Sequence, residues 1–93
     1  MSKFVVFIRF NDRRKQELEI DPNDSIRSLM TQIFDKFNIP ESKRDYCHNK
    51  FLLLFNDIIL NANEDCLNKT IKEASIEDDD IIDLKECLSL NMG

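Results

Sequence analysis

Residues 21–40 read DPNDSIRSLMTQIFDKFNIP. Apolar side chains return at Ile26, Leu29, Met30, Ile33 and Phe37, the i, i+3, i+4, i+7 spacing of a helix that lays one face on a core. Asp24 or Ser25 is placed to accept a hydrogen bond from an early helical amide, and Pro40 limits continuation because the residue before a proline disfavours the α region. The stretch predicts one amphipathic helix with both ends marked.

Upstream, residues 16–21 (QELEID) alternate, with Leu18 and Ile20 on one face and Glu17, Glu19 and Asp21 on the other. Residues 3–10 (KFVVFIRF) are rich in β-branched and aromatic side chains, and the polar NDRRK lies between the two runs, so the chain is expected to open with a β-hairpin. Downstream, residues 41–50 (ESKRDYCHNK) are polar and irregular. FLLLF at 51–55 reads as a largely buried strand, bounded by Asn56 and Asp57 and followed by a short strand at 58–60. A helical turn is expected within 67–76 and a last strand within 78–88, with Ile82 and Leu84 on one face. The order is β, β, α, β, β, β.

Ninety-three residues make one domain, 1–93, with residues 88–93 as a C-terminal tail. Hydrophobic residues make up 42% of the chain and charged residues 33%, which predicts a folded, soluble protein with a well-solvated surface. The net charge is −5 and acidic residues crowd into 77–83, whereas nucleic-acid binding requires a concentrated basic footprint. No nucleic-acid or membrane partner is therefore expected. KFVVFIRF is too short to span a bilayer and its flanks differ from a signal peptide, so the expected location is the cytoplasm or the nucleus. Cys47, Cys66 and Cys87 lack C-x-x-C spacing and read as free thiols, not a disulfide framework or a zinc site. His48 beside Cys47 reads as loop decoration, since neighbours in sequence rarely point at each other.

This order and spacing resemble the ubiquitin-like, or β-grasp, family. The resemblance implies an α+β fold of ββαββ(β) order, a mixed sheet packed on one helix. It is densest in residues 21–40, where acid-Pro-x-Asp-Ser-Ile, Leu29, Ile33, Asp35-Lys36 and Ile39-Pro40 are similar to ubiquitin's own strand, helix and turn. LFNDIIL resembles the family's third strand, turn and fourth strand, and SIEDDDIIDL resembles the acidic approach to the last strand in SUMO and SUMO-like domains. Two segments are longer than in ubiquitin, around 41–50 and around 61–69, and both are read as tolerated loop insertions.

Family members act as protein tags or docking modules, so no catalytic residue, metal or cofactor is expected, and the partners implied are proteins met by a monomer. The sequence contains no glycine-rich phosphate loop and no nucleophile motif, and residues 77–80 (EDDD) lack the spaced ligands and turn glycine of a calcium loop. With Leu53 and Phe55 turned inward, alternation turns Leu52 and Leu54 outward, to positions resembling part of ubiquitin's hydrophobic patch, with Lys85 on the neighbouring strand. Phe7 resembles an exposed aromatic on ubiquitin's first strand. A SUMO-like groove between the second strand and the helix would be bordered by Glu17, Glu19 and Asp21, with Arg27 nearby, and would favour a basic or neutral strand over an acidic one.

Conjugated ubiquitin-like proteins end in glycine because the terminal carboxylate passes through narrow enzyme channels. The family's usual diglycine falls here at Leu90 and Asn91, but the chain's only glycine is Gly93. Met92-Gly93 is loosely similar to the tail of the ubiquitin-fold modifier branch. The expected function is a small modifier conjugated through Gly93, and the alternative is a non-conjugated interaction module or a domain of a larger protein. The shared parity of Ile82, Leu84, Leu88 and Leu90 favours the alternative, because a tail tacked to the body cannot enter a conjugating enzyme.

Overall fold

A computed structural model describes residues 3–46 and 50–87. β1 (Phe4–Phe10) and β2 (Arg14–Ile20) form the expected hairpin, with β2 starting two residues earlier than the alternation predicts. Its turn requires left-handed backbone at successive residues, and Asn11 (φ 51°) and Asp12 (φ 59°) provide it. Short polar side chains that bond to their own backbone tolerate this region better than others carrying a Cβ. Asn56 (φ 51°) and Asp57 (φ 66°) do the same between β3 (Phe51–Phe55) and β4 (Ile58–Ile59). Asparagine and aspartate thus take turn positions that most chains give to glycine.

The helix α1 spans Ile26–Lys36, and Ser25 is its cap: the Ser25 hydroxyl oxygen accepts from the Ser28 amide at 3.0 Å. At the other end Asn38 is left-handed (φ 57°). The Asn38 amide donates to the Asp35 carbonyl at 3.2 Å and the Ile39 amide to the Phe34 carbonyl at 2.9 Å. This pair of bonds closes the last turn as a Schellman motif. The stop therefore comes from Asn38, ahead of Pro40, which instead caps a short 3₁₀ turn at Glu41–Lys43. The buried face is Ile26, Leu29, Met30, Ile33 and Phe34. Phe34, absent from the predicted stripe, is in the core, and Phe37 packs at its edge against Phe10, ring centroids 5.2 Å apart.

Among the described residues five strands form one mixed sheet in the order β2-β1-β5-β3-β4, where β5 is Ile81–Glu86. β1 and β5 run parallel and the other neighbours antiparallel. Inner-face residues such as Val6, Ile8, Leu53, Ile82 and Leu84 are fully buried under α1.

The two longer segments are not passive loops. In the first, Tyr46 sets its ring edge-on to Phe34 at 5.4 Å and shares a 2.7 Å hydrogen bond with Thr31, while Arg44 pairs with Asp35 at 2.9 Å. The second contains a helix, α2 (Glu64–Leu67), capped by Asn63 and contributing Leu67 to the core. It is followed by a helical turn in which the Thr70 hydroxyl accepts from the Glu73 amide and the Glu73 carboxylate accepts from the Thr70 amide, a reciprocal capping box. Asn61, at the start of the same segment, is completely buried.

Candidate docking surface

Alternation along each strand sends every second side chain to the face of the sheet away from α1. Cross-strand register then assembles that face. Leu54 stands opposite Ile59 on β4 and Asp83 on β5, and Leu52 stands opposite Lys85. Phe7 stands between Ile81 on β5 and Glu17 on β2, and Arg9 between Asp83 and Lys15. The result is an apolar group, Leu52, Leu54 and Ile59, and a second one, Phe7 and Ile81, on either side of an ion pair. Ile59 and Ile81 are 37% and 39% exposed, so each group carries one large apolar side chain open to solvent.

The dividing pair is bidentate. Arg9 Nε donates to Asp83 Oδ1 at 2.6 Å and Arg9 Nη2 to Asp83 Oδ2 at 3.1 Å. The hydrogen bond and then the charge of Asp83 hold the Arg9 guanidinium still further above its ordinary range. At the margins, Lys85 Nζ lies 3.4 Å from Asp12 Oδ2 and Lys15 Nζ lies 5.5 Å from the centre of the Phe7 ring. Each cation is thereby held at the rim with its stem along apolar surface. Tyr46 and Arg44 of the first long segment pack on the α1 side, against Phe34 and Asp35, and Leu52 and Leu54 are half-buried.

Leu52, Leu54, Lys85 and Phe7 therefore share one face. Sequence reading missed Ile59, Ile81 and the Arg9–Asp83 pair, although alternation outward from Ile82 already implies Ile81 and Asp83. Ile58, 61% exposed, pairs across from the inward-facing Phe55 and rims a groove of about 300 Å³ with Phe55, Leu60 and Cys66, which Ile59 also borders.

The expected groove between β2 and α1 is not bordered as predicted. Glu17 and Glu19 lie opposite Phe7 and Val5 and so project from the outer face, while Gln16 and Leu18 face the helix side. Asp21 is engaged at the turn before α1, where Oδ1 accepts from the Asn23 amide at 2.9 Å. Arg27 pairs with Glu64 of α2 and lies over the Tyr46 ring at 5.9 Å, on the helix flank turned away from β2. At 3.6 residues per turn the opposite flank carries Ser28, Gln32 and Lys36.

Two carboxylates of the acidic turn accept from backbone amides: Asp78 from Val5 of β1 at 3.0 Å and Asp80 from Glu77 within the turn at 2.7 Å. Among the described residues no group of three His, Cys, Asp or Glu is placed to hold a metal ion. Cys66 is a free thiol. Gly93, Leu88, Leu90, Cys47 and His48 lie outside the described residues.

A family model described as the ubiquitin family matches residues 6–85. No curated protein matches the chain. A solved structure described as "Molecular Mimicry of SUMO promotes DNA repair" is similar in fold at a TM-score of 0.68, with 15% sequence identity over 90% of this chain and 91% of that one.

Proposed function

Because the chain belongs to the ubiquitin family, we propose that it works by protein–protein contact through the outer face of its sheet and performs no catalysis of its own. The observation that carries this reading is the pair of apolar groups, Leu52–Leu54–Ile59 and Phe7–Ile81, held on one face around the Arg9–Asp83 pair. A partner that lays apolar side chains on both groups gains their burial, and its polar groups between them find a fixed guanidinium and carboxylate. That geometry supplies affinity from the leucines and orientation from the ion pair. The partners are proteins of the cytoplasm or nucleus. Docking by imitation, of the kind the SUMO-mimicry structure is described as performing, falls within this reading.

Leu52→Glu combined with Leu54→Glu is expected to abolish retention of the proteins that the wild-type chain captures from its own cells. Lys43→Glu, on the exposed 3₁₀ turn at Glu41–Lys43, is expected to leave the same bands unchanged. Both variants change exposed or half-buried positions and are expected to melt close to the wild type. Equal capture by all three proteins would sink the docking reading.

A second reading, conjugation through Gly93, is favoured by a single observation: the sole glycine in the sequence is residue 93. Incubated with ATP and lysate of its own source, a chain ending at Gly93 is expected to form a thiol-sensitive adduct that disappears when Gly93 is deleted. The absence of any such adduct would leave the docking reading alone.

A further inference from the structure

The sheet has two ends, and they are very unequal. β4 is two residues long, whereas β2 runs from Arg14 to Ile20 with no strand on its other side among the described residues. A long open edge offers a row of backbone donors and acceptors to any extended chain. Protein edges are commonly guarded by charge, but the charges on β2 are sorted along its length. Arg13 just before it and Arg14 and Lys15 at its start are basic, and Glu17 and Glu19 farther along are acidic, all of them exposed. A uniformly basic strand meets repulsion at the start of this edge, and a uniformly acidic one meets it at the end. A strand of the same sequence running the other way matches both halves.

We propose that β2 pairs antiparallel with β2 of a second copy of this chain, in the register centred on Gln16. Pairing about a two-fold axis perpendicular to the sheet keeps like faces together, so the choices are registers centred on one residue or the next. Centring on Lys15 sets Lys15 against itself, centring on Glu17 sets Glu17 against itself, and centring on Leu18 sets Glu17 against Glu19. Centring on Gln16 alone sets Lys15 against Glu17 of the other copy, on both sides of the axis. In that register Arg13 also falls opposite Glu19, and the two Gln16 amides meet at the axis. On the helix side the stem of Arg14 lies against the half-buried Leu18 of the other copy. Backbone pairing supplies the association and the charges select the register. This departs from the monomer expected from the sequence, and it is independent of the outer-face docking reading.

The test is sedimentation of the full chain over concentrations up to about 1 mM. The wild type is expected to show a monomer–dimer equilibrium. Lys15→Glu alone and Glu17→Lys alone each convert both cross-axis contacts to like charges and are expected to weaken dimerisation about tenfold or more. Mixing these two variants restores complementarity across the seam and is expected to give a heterodimer. The double variant Lys15→Glu, Glu17→Lys is expected to recover the homodimer, and since it keeps the same side chains on an exposed strand it also controls for folding. A wild type that stays monomeric overturns the proposal. So do single variants that dimerise unchanged, or a mixture that fails to associate. A monomeric wild type whose β2 amide resonances shift on adding a lysine-rich extended peptide would assign the edge to a foreign strand instead.

Discussion

Asn61→Ala is expected to cost about 3 kcal/mol of folding stability, which lowers the melting temperature by about 15 °C in a domain of this size. Asn61 is wholly buried and uses both ends of its amide. Its Oδ1 accepts from the Leu53 amide at 3.0 Å, and its Nδ2 donates to the Phe51 carbonyl at 2.8 Å and to the Tyr46 carbonyl at 3.1 Å. It stands where a neighbouring strand would have bonded β3, and ties the start of that strand to the segment before it. Alanine leaves the Leu53 amide and Phe51 carbonyl desolvated with nothing in return, each worth roughly 1 to 3 kcal/mol. Asn61→Asp separates hydrogen bonding from packing, because it keeps the shape but turns an acceptor and a buried charge toward two carbonyls. It is expected to be at least as damaging as alanine. Urea unfolding followed by circular dichroism measures both, and a loss below about 1 kcal/mol for either would mean that the amide is dispensable.

The second large effect is expected at Phe34. Its ring meets Phe51 at 5.1 Å and Tyr46 at 5.4 Å, both near edge-on, and the Arg44 guanidinium lies 5.7 Å from its centre. Phe34→Ala removes the aromatic hub that joins α1, β3 and the segment leading to Tyr46. The expected cost is about 4 kcal/mol from lost burial plus the cavity left behind. A chain of this length has a total stability of roughly 5 to 14 kcal/mol, so the variant loses a large share of it and its melting temperature is expected to fall by about 20 °C. Phe34→Leu keeps most of the apolar volume and is expected to lose less than half as much. Equal losses for leucine and alanine would show that the ring contacts, not the filled volume, dominate.

These two residues also mark what the sequence leaves hidden. The hairpin, the helix and the parity of FLLLF are local periodicities, and a period of two or of 3.6 is visible in a few residues. Phe34 escaped because the stripe was drawn through Phe37, while the inward face of α1 is wide enough to admit the position after Ile33. Asn61 escaped for a different reason. Nothing local separates it from the polar residues around it, and its role exists only once Phe51, Leu53 and Tyr46 have been brought to it. Glu17 and Glu19 were assigned to a groove although the alternation that buries Ile20 already turns them to the far face. Arg27 was misplaced because the partner that draws it aside, Glu64, lies on α2, a helix in a segment read as loop.

Of the five described strands, the one at the centre of the sheet comes last in sequence. β5 lies between β1 and β3, pairing Phe7 with Ile81 and Leu53 with Leu84, so among the described strands the hairpin β1–β2 and the pair β3–β4 meet in the sheet through it. Before residues 81–86 are in place, each half offers an open edge and an uncovered apolar face, and α1 has half a sheet to pack on. The search for the fold therefore ends in a contact between distant parts of the chain, with its closure entropy spent before most of the burial is gained. Folding is expected to be slower than in a helical domain of equal length. On the ribosome, the chain has to wait for β5 before it can leave the states in which other proteins would bind it.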